Sequence, residues 1–120
     1  MQKETLLKIK VIQALKKLPN TWFLKTQEVA RSGTPDILAS VNGIFVAVEL
    51  KTNEGVISKL QEYNLKKIEE TGGVSIVLMP NNFEASIQFL ENLAKEGLKN
   101  GQRSSIKKGS KRDKTKLQNS

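Results

Sequence analysis

Three charged residues lie at the ends of a predicted β-hairpin, and their types suit a hard metal ion. Asp36 begins the first arm, and Glu49 and Lys51 end the second. Carboxylate oxygens are the ligands that Mg²⁺ and Mn²⁺ prefer. A bound Mg²⁺ polarises a phosphate and lowers the pKa of a bound water, and a nearby lysine offsets charge that grows on the phosphate. These residues therefore predict a metal-dependent site for phosphodiester hydrolysis.

The hairpin turn places the two carboxylates opposite each other. An Asn-Gly dipeptide at 42–43 separates two apolar runs, a pattern that predicts a two-residue loop. Counting outward along both arms sets Asp36 opposite Glu49, where Cβ atoms lie roughly 5 Å apart and like charges repel. A cation between the carboxylates removes this repulsion. The backbone carbonyl of Leu50 would add a further oxygen ligand, and Lys51 points to the same side of the sheet as Glu49.

The same register separates the hairpin into two different faces. One face is wholly apolar and is predicted to be core. The other face is apolar near the turn and charged at the open end. The apolar face consists of Ile37, Ala39, Val41, Ile44, Val46, Val48 and Leu50.

Helical and strand periodicities predict the order αβββαβα for the whole chain. The first helix is expected over 3–18, and the first strand over 21–26. After the hairpin, Ser58 and Gln61 have the spacing of a capping box that opens a helix ending near 70. A continuous apolar run over 74–79 predicts a strand buried on both faces, followed by a helix over 83–95. This order predicts an α/β fold with a mixed four-stranded sheet and helices on both faces.

Composition excludes several classes of chemistry. The 120 residues include no cysteine and no histidine, which excludes zinc sites and catalysis by imidazole or thiol. A Walker sequence is absent, so no nucleotide cofactor is expected. The apolar runs are too short for a membrane span. The lack of cysteine is compatible with a reducing cytoplasm, where we expect the protein.

Positive charge is concentrated at the end of the chain. The net charge is +8, and the residues from 99 to 120 carry eight basic side chains and one acid, which leaves +1 for residues 1–98. We expect one folded domain over 1–97 and a disordered basic tail over 98–120. The tail is interpreted as an arm that binds DNA phosphates, with a solubilising tail as the alternative. Its expected DNA contacts are Lys107, Lys108, Lys111 and Arg112.

The central motif resembles a known nuclease superfamily. Gly33-x-Pro35-Asp36, Glu49-x-Lys51 and then Gln61 resemble the PD-(D/E)xK nucleases. Within them, residues 4–80 are similar to the virus-type replication-repair nuclease domain (VRR-NUC) in its small, stand-alone, phage-like form. The resemblance implies a restriction-endonuclease-like αβββαβ(α) core. It also implies a Mg²⁺-dependent endonuclease, homodimeric and acting on branched DNA such as Holliday junctions, in a bacterial or phage-infected cell.

The resemblance also assigns roles to individual residues. It implies that Asp36 and Glu49 bind the metal, that Lys51 is catalytic and that Gln61 completes the site. Glu4 matches an acidic residue of the first helix, although the dipole of that helix also favours an acid there. Helix capping alone would explain Gln61. Two further basic residues, Lys25 and Arg31, are interpreted as phosphate contacts or solvated charges.

Two alternatives to a structure-specific nuclease stay open at this point. The first is a sequence-specific, restriction-type nuclease built on the same core, although so short a chain offers no additional recognition region. The second is a DNA- or RNA-binding protein with a nuclease-like fold and no catalysis, for which the basic tail is the best argument. In that case Lys51 would pair with the carboxylates at a sheet edge, an arrangement that contributes little energy.

Overall fold

A computed structural model of the chain describes residues 3–27 and 32–98, and the helices and strands follow the predicted order. The strands form one sheet, against which the α-helices pack. The elements are α1 (Lys3–Lys16), β1 (Thr21–Lys25), β2 (Ile37–Val41), β3 (Ile44–Leu50), α2 (Lys59–Glu70), β4 (Val74–Leu78), a 3₁₀ turn (Pro80–Asn82) and α3 (Phe83–Glu96). The predicted basic tail lies outside the described residues, except for its first residue, Leu98.

The sheet is mixed, as the element order predicts. Its strand order is β1-β2-β3-β4. Strand β2 is antiparallel to both β1 and β3, while β4 runs parallel to β3. The long connection through α2 makes this parallel pairing possible, because parallel strands need a crossover. The α/β class and the mixed four-stranded sheet are thereby confirmed.

The hairpin has the predicted register. Asn42 and Gly43 both have positive φ values, 53° and 82°, as a two-residue type I′ loop requires. The ladder runs from the pair Val41 and Ile44 at the turn to the pair Ile37 and Val48. Asp36 comes one residue before β2, so it lies just beyond the end of this ladder.

The helices cover the two faces of the sheet unequally. The predicted apolar face of the hairpin is buried under α1 and α3, with only Ile44 partly exposed. Helix α2 packs against β4 on the other face, where Ser75 bonds to Glu69. Because α2 lies at the β4 side, the face of β1 and β2 next to it retains exposed apolar side chains, Trp22 and Leu24 among them.

Two local details differ from the prediction. Helix α1 ends at Lys16 and not at Leu18, because Lys17 and Leu18 donate to carbonyls only three residues back. Leu18 still packs against the core from this tighter turn. Before α3, Asn82 accepts a bond from the Met79 amide and donates to the Val77 carbonyl, which closes the unpredicted 3₁₀ turn. Within the described residues no helix is long and apolar enough to cross a membrane.

Candidate active site at the open end of the hairpin

The Pro35-Asp36 dipeptide ends the β2–β3 ladder and replaces it with a side-chain bond. The Asp36 carboxylate accepts a hydrogen bond from the Leu50 amide through Oδ2 at 2.8 Å. If the ladder continued two residues beyond the pair Ile37 and Val48, to the next hydrogen-bonded pair, Pro35 would lie opposite Leu50. Proline cannot complete such a pair because it has no N–H. Asp36 therefore caps β3 where the backbone of β2 cannot.

Pro35 also determines the surroundings of the Leu50 carbonyl. In an antiparallel ladder, the N–H and C=O of one residue point to the same neighbouring strand. The Leu50 N–H points to Asp36, so the Leu50 carbonyl lies on the same side. A proline at 35 leaves this carbonyl without the N–H donor that another residue would supply. The predicted role of Leu50 as a backbone ligand is therefore geometrically available.

A buried threonine holds Pro35 and Asp36 in place. The Thr26 hydroxyl donates to the Pro35 carbonyl at 2.7 Å and lies 3.2 Å from the Asp36 carbonyl. The Thr26 amide donates to the same Asp36 carbonyl at 3.0 Å. Sequence reasoning did not identify Thr26. The β1–β2 register, which pairs Lys25 with Ile37, would have placed Thr26 beside Asp36.

Glu49 is almost completely buried, although it carries the central carboxylate of the site. Its exposed fraction is 2%. Its Oε2 accepts a hydrogen bond from Gln61 Nε2 at 2.7 Å and lies 3.8 Å from the Lys51 ammonium. Its Oε1 is buried and no N–H or hydroxyl donor reaches it, although Glu49 and the neighbouring Asp36 carboxyl can share a proton. An unpartnered buried carboxylate oxygen is costly, and a bound cation would satisfy it.

The surroundings of Glu49 disfavour its charged form. Burial, together with the negative charge of Asp36, raises the pKa of Glu49 from 4.5 to about 7. Lys51 opposes this shift, while Glu4 adds to it. The two carboxylates that the hairpin register predicted to be neighbours therefore interact. Near neutral pH, Glu49 is poised to exchange a proton for a cation.

Gln61 combines the two roles that the sequence left as alternatives. Its backbone N–H donates to the Ser58 hydroxyl at 3.1 Å, and its side-chain Oε1 accepts from the Ser58 N–H at 2.9 Å. This is the predicted capping box at the start of α2. The same side chain donates from Nε2 to Glu49. Capping and positioning of Glu49 are therefore done by one amide group.

A cleft of about 530 Å³ opens beside Asp36 at the N-terminal end of α1. Glu4 lines this cleft together with Asp36 and Leu50, which agrees with its predicted place near the site. Lys8 lines it as well, one helical turn after Glu4, and sequence reasoning did not identify it. The remaining lining residues are the polar side chains Thr5, Thr26, Gln27 and Thr34.

The oxygen ligands at this site are few, and they suit a Mg²⁺ or Mn²⁺ ion that takes its other ligands from water and substrate. Within residues 3–27 and 32–98, no group of three or more Asp, Glu, His or Cys side chains could hold a metal ion. Glu4 therefore does not complete a three-carboxylate group with Asp36 and Glu49. Mg²⁺, however, is commonly bound by one or two carboxylates, with waters and substrate phosphates as the other ligands. The unpartnered Glu49 oxygen, the Asp36 carboxylate and the Leu50 carbonyl match that set.

Of the predicted DNA-binding residues, only Lys25 is among those that the structure describes. Lys25 is exposed at the end of β1 and is not among the described residues that line the cleft. Arg31 and the tail residues Lys107, Lys108, Lys111 and Arg112 lie outside the described residues. Asn64, which was not predicted, donates to the Gly33 carbonyl at 2.8 Å and fixes the loop before Asp36 to α2. Gly33 has a φ of 80°, which favours glycine.

Comparisons with protein-family models, with curated proteins and with solved structures find no match to this chain.

Proposed function

We propose that this protein is a Mg²⁺-dependent DNA endonuclease with a PD-(D/E)xK core of the VRR-NUC type. The observation that carries the proposal is the buried Glu49 carboxylate, which has an unpartnered oxygen beside Asp36 and a lysine at 3.8 Å. Buried polar atoms are usually hydrogen-bonded, so an oxygen that no donor reaches supports a cation site, with a proton shared between Glu49 and Asp36 as the structural alternative. A pair of carboxylates that repel each other is also explained by a cation that binds between them.

Asp36 and Glu49 would hold the metal, with the Leu50 carbonyl as a third protein ligand. Bound Mg²⁺ would supply Lewis acidity toward a phosphate and a water of lowered pKa. Asp36 is held in place by its bond to the Leu50 amide, and Glu49 by its bond to Gln61. These bonds set the carboxylate directions before any ligand binds, and such supporting bonds strengthen metal sites.

Lys51 and Lys8 would act on the phosphate. The Lys51 ammonium lies beside Glu49 and remains about one-fifth exposed, so it can also reach a substrate. There it would orient the attacking water or offset charge that grows on the phosphate. Lys8 lines the cleft next to Asp36 and would contact a neighbouring phosphate. Both residues would favour a polyanion at a site that otherwise carries several acids.

The substrate that we propose is branched DNA, such as a four-way junction, cut by a homodimer in the cytoplasm of a bacterial or phage-infected cell. The resemblance of the Gly33–Gln61 motif to VRR-NUC domains supports this finer statement. The described residues are close to neutral, so the eight basic side chains after residue 98 would supply most of the non-specific DNA affinity.

A non-catalytic nucleic-acid-binding protein is the second candidate. The absence of a group of three metal-binding side chains among the described residues favours it. It predicts that DNA binding neither needs nor responds to a divalent cation. The nuclease proposal predicts that DNA cleavage requires a divalent cation.

Cleavage of labelled four-way junction and linear duplex DNA separates the two candidates. We expect cutting with Mg²⁺ or Mn²⁺ and none in EDTA. The Asp36→Ala and Lys51→Ala variants should bind DNA without cutting it. Lys16→Ala, which changes an exposed lysine at the far end of α1, is the matched control and should cut normally. Failure of the unaltered protein to cut with any divalent metal would leave the binding protein as the better account.

A further inference from the structure

A second feature of the fold is the part of the sheet that α2 leaves uncovered. On this face Trp22 of β1 is 63% exposed and Phe45 of β3 is 47% exposed. Leu24, also on β1, is exposed as well. Large apolar side chains that lie together on a surface mark a binding site more often than single ones do. This face is therefore a candidate binding surface.

Helix α2 borders this surface on the β3 side. Its Ile68 and the ring of Phe45 both lie beside Gly73. We call the surface formed by Trp22, Leu24 and Phe45 the aromatic groove. It contains three of the eight exposed large apolar side chains among the described residues.

Strand register sets the distance between the two rings of the sheet. Trp22 pairs with Ser40, and Ser40 pairs with Phe45. The two aromatic residues are therefore two strand spacings apart, about 10 Å between backbones, on the same face. Ser40 between them is small and exposed. Flat rings could therefore lie on or between these two side chains without displacing a larger one.

The aromatic groove continues towards Asp36 along β2, where the same face is not covered. Ser40 and Asp36 lie four residues apart on this face with Leu38 half-buried between them, whereas Ala47 of β3 is buried. The separation of Ser40 and Asp36 along the strand is about 13 Å. That length corresponds to about four stacked nucleotides of one DNA strand. A strand whose phosphate reached Asp36 and Glu49 could therefore extend its next bases over the two aromatic rings of the groove.

We propose that the aromatic groove binds the unpaired bases of a single nucleic-acid strand and guides that strand into the site. This inference rests on the proposed function and narrows its substrate to nucleic acid with an unpaired segment. Every base has a flat face that stacks on an aromatic ring, so such binding tolerates many sequences. A second copy of the chain is the less favoured occupant, because a protein on this face would lie beside Asp36 and Glu49 and obstruct them.

Fluorescence tests the proposal directly, because Trp22 is the only tryptophan in the chain. The full chain would be titrated in EDTA with single-stranded oligo-dT, single-stranded oligo-U and a blunt duplex. We expect oligo-dT or oligo-U to quench Trp22, and the duplex to do so far less. The relative strength of the two single strands identifies DNA or RNA as the source. Since EDTA prevents metal-dependent cleavage, quenching without any later cleavage with Mg²⁺ would contradict the proposed function and would leave standing only the binding of single strands by the groove.

Three variants complete the test. Phe45→Ala should weaken single-strand binding about ten-fold, as loss of one stacking partner does. Ser40→Glu keeps the fold at an exposed position and should weaken binding by placing a negative charge between the rings, whereas Ser40→Lys should not. Val56→Ala, in the exposed loop before α2, is the control and should bind normally.

Equal quenching by duplex and single strands would overturn the inference. Unchanged affinity in both Phe45→Ala and Ser40→Glu would do so as well. Sedimentation tests whether a second copy of the chain binds the groove instead. A dimer that becomes a monomer on Phe45→Ala, with no quenching by oligonucleotides, would assign the groove to a second copy and overturn the inference.

Discussion

Gln61 binds Glu49 with the same amide group that caps helix α2. Its Nε2 donates to Glu49 Oε2 at 2.7 Å, while its Oε1 accepts from the Ser58 amide at 2.9 Å. The second bond fixes which end of the amide faces Glu49. The buried Glu49 carboxylate is thus oriented by the first turn of a helix. Helix capping and site geometry are coupled through one residue.

Replacing the two residues of this capping box should separate stability from activity. Ser58→Ala removes the hydroxyl that accepts from the Gln61 amide and should cost about 1 kcal/mol of stability. It keeps the Ser58 N–H that orients the Gln61 side chain, so cleavage should change little. Gln61→Ala keeps the backbone N–H that donates to Ser58 but loses the side-chain half of the capping box and the bond to Glu49. It should lower metal affinity or activity about 10- to 100-fold.

Thermal unfolding and Mg²⁺-dependent cleavage of both variants provide the measurements. Glu62→Ala, an exposed first-turn residue next to Gln61, serves as the control for changes at the start of α2. Equal losses of activity in Ser58→Ala and Gln61→Ala would show that only helix formation matters. In that case the bond to Glu49 would have no role in the site.

Pro35→Ala should weaken metal binding while preserving the fold. The new N–H at position 35 could donate to the Leu50 carbonyl and complete the ladder that proline interrupts. This carbonyl would then be less available to a cation. We expect weaker Mn²⁺ binding with little change in the unfolding temperature. Pro80→Ala, at the 3₁₀ turn before α3, controls for the loss of a proline elsewhere. Unchanged Mn²⁺ affinity would remove the Leu50 carbonyl from the site.

The sequence predicted the parts of this site that depend on counting along one hairpin or one helix. The Asn-Gly turn fixes the register that brings Asp36 to Glu49, and the Ser58-to-Gln61 spacing fixes the cap. Thr26 was missed because its role depends on the pairing of β1 with β2 across a connection of eleven residues, 26–36. Local pattern does not determine such a pairing.

The exposure of one half of the sheet could not be predicted from the sequence either. Leu38 and Phe45 alternate with core residues in the way that a covered strand also shows. Whether α2 covers them depends on its position over β4, which is set by tertiary packing around Leu65 and Ser75. The amide of Gln61 presents a similar case. Its spacing predicts a cap, but its contact with Glu49 arises only when helix and sheet are assembled.

The raised pKa of Glu49 predicts a pH dependence of stability. Its pKa is about 7 in the folded protein and 4.5 ordinarily, so the folded state binds this proton more tightly. The resulting stabilisation is fully present below pH 4.5 and is lost as pH rises through about 7. In EDTA, Glu49→Gln should lack this component and gain stability relative to the unaltered protein as pH increases.

Thermal unfolding between pH 5 and 8.5 would measure this effect, roughly across the range in which the group titrates. Glu54→Gln, which changes an exposed acid in the loop before α2, is the control and should follow the unaltered protein. Saturating Mg²⁺ should reverse the loss at high pH, because a cation stabilises the ionised carboxylate. Identical pH profiles for Glu49→Gln and the unaltered protein would contradict the assigned environment of Glu49.

Removal of the basic tail should change DNA affinity and spare catalysis. A chain of residues 1–98 loses eight basic side chains and one acid. Its affinity for duplex DNA should fall at low salt, and the dependence of affinity on salt should become shallower, because fewer counterions are released. Cleavage at saturating substrate should persist. DNA titrations at several salt concentrations provide the measurement, and an unchanged salt dependence would exclude the tail as a DNA-binding arm.

Binding of Mn²⁺ to the free protein tests the central claim most directly. Mn²⁺ takes the same oxygen ligands as Mg²⁺ and can be followed by its paramagnetic resonance without DNA or cleavage. We predict saturable binding at one site per chain at pH 8, lost in Asp36→Asn and in Glu49→Gln and retained in Glu54→Gln. Binding that is absent in the unaltered protein, or that persists equally in Asp36→Asn and Glu49→Gln, would contradict the account.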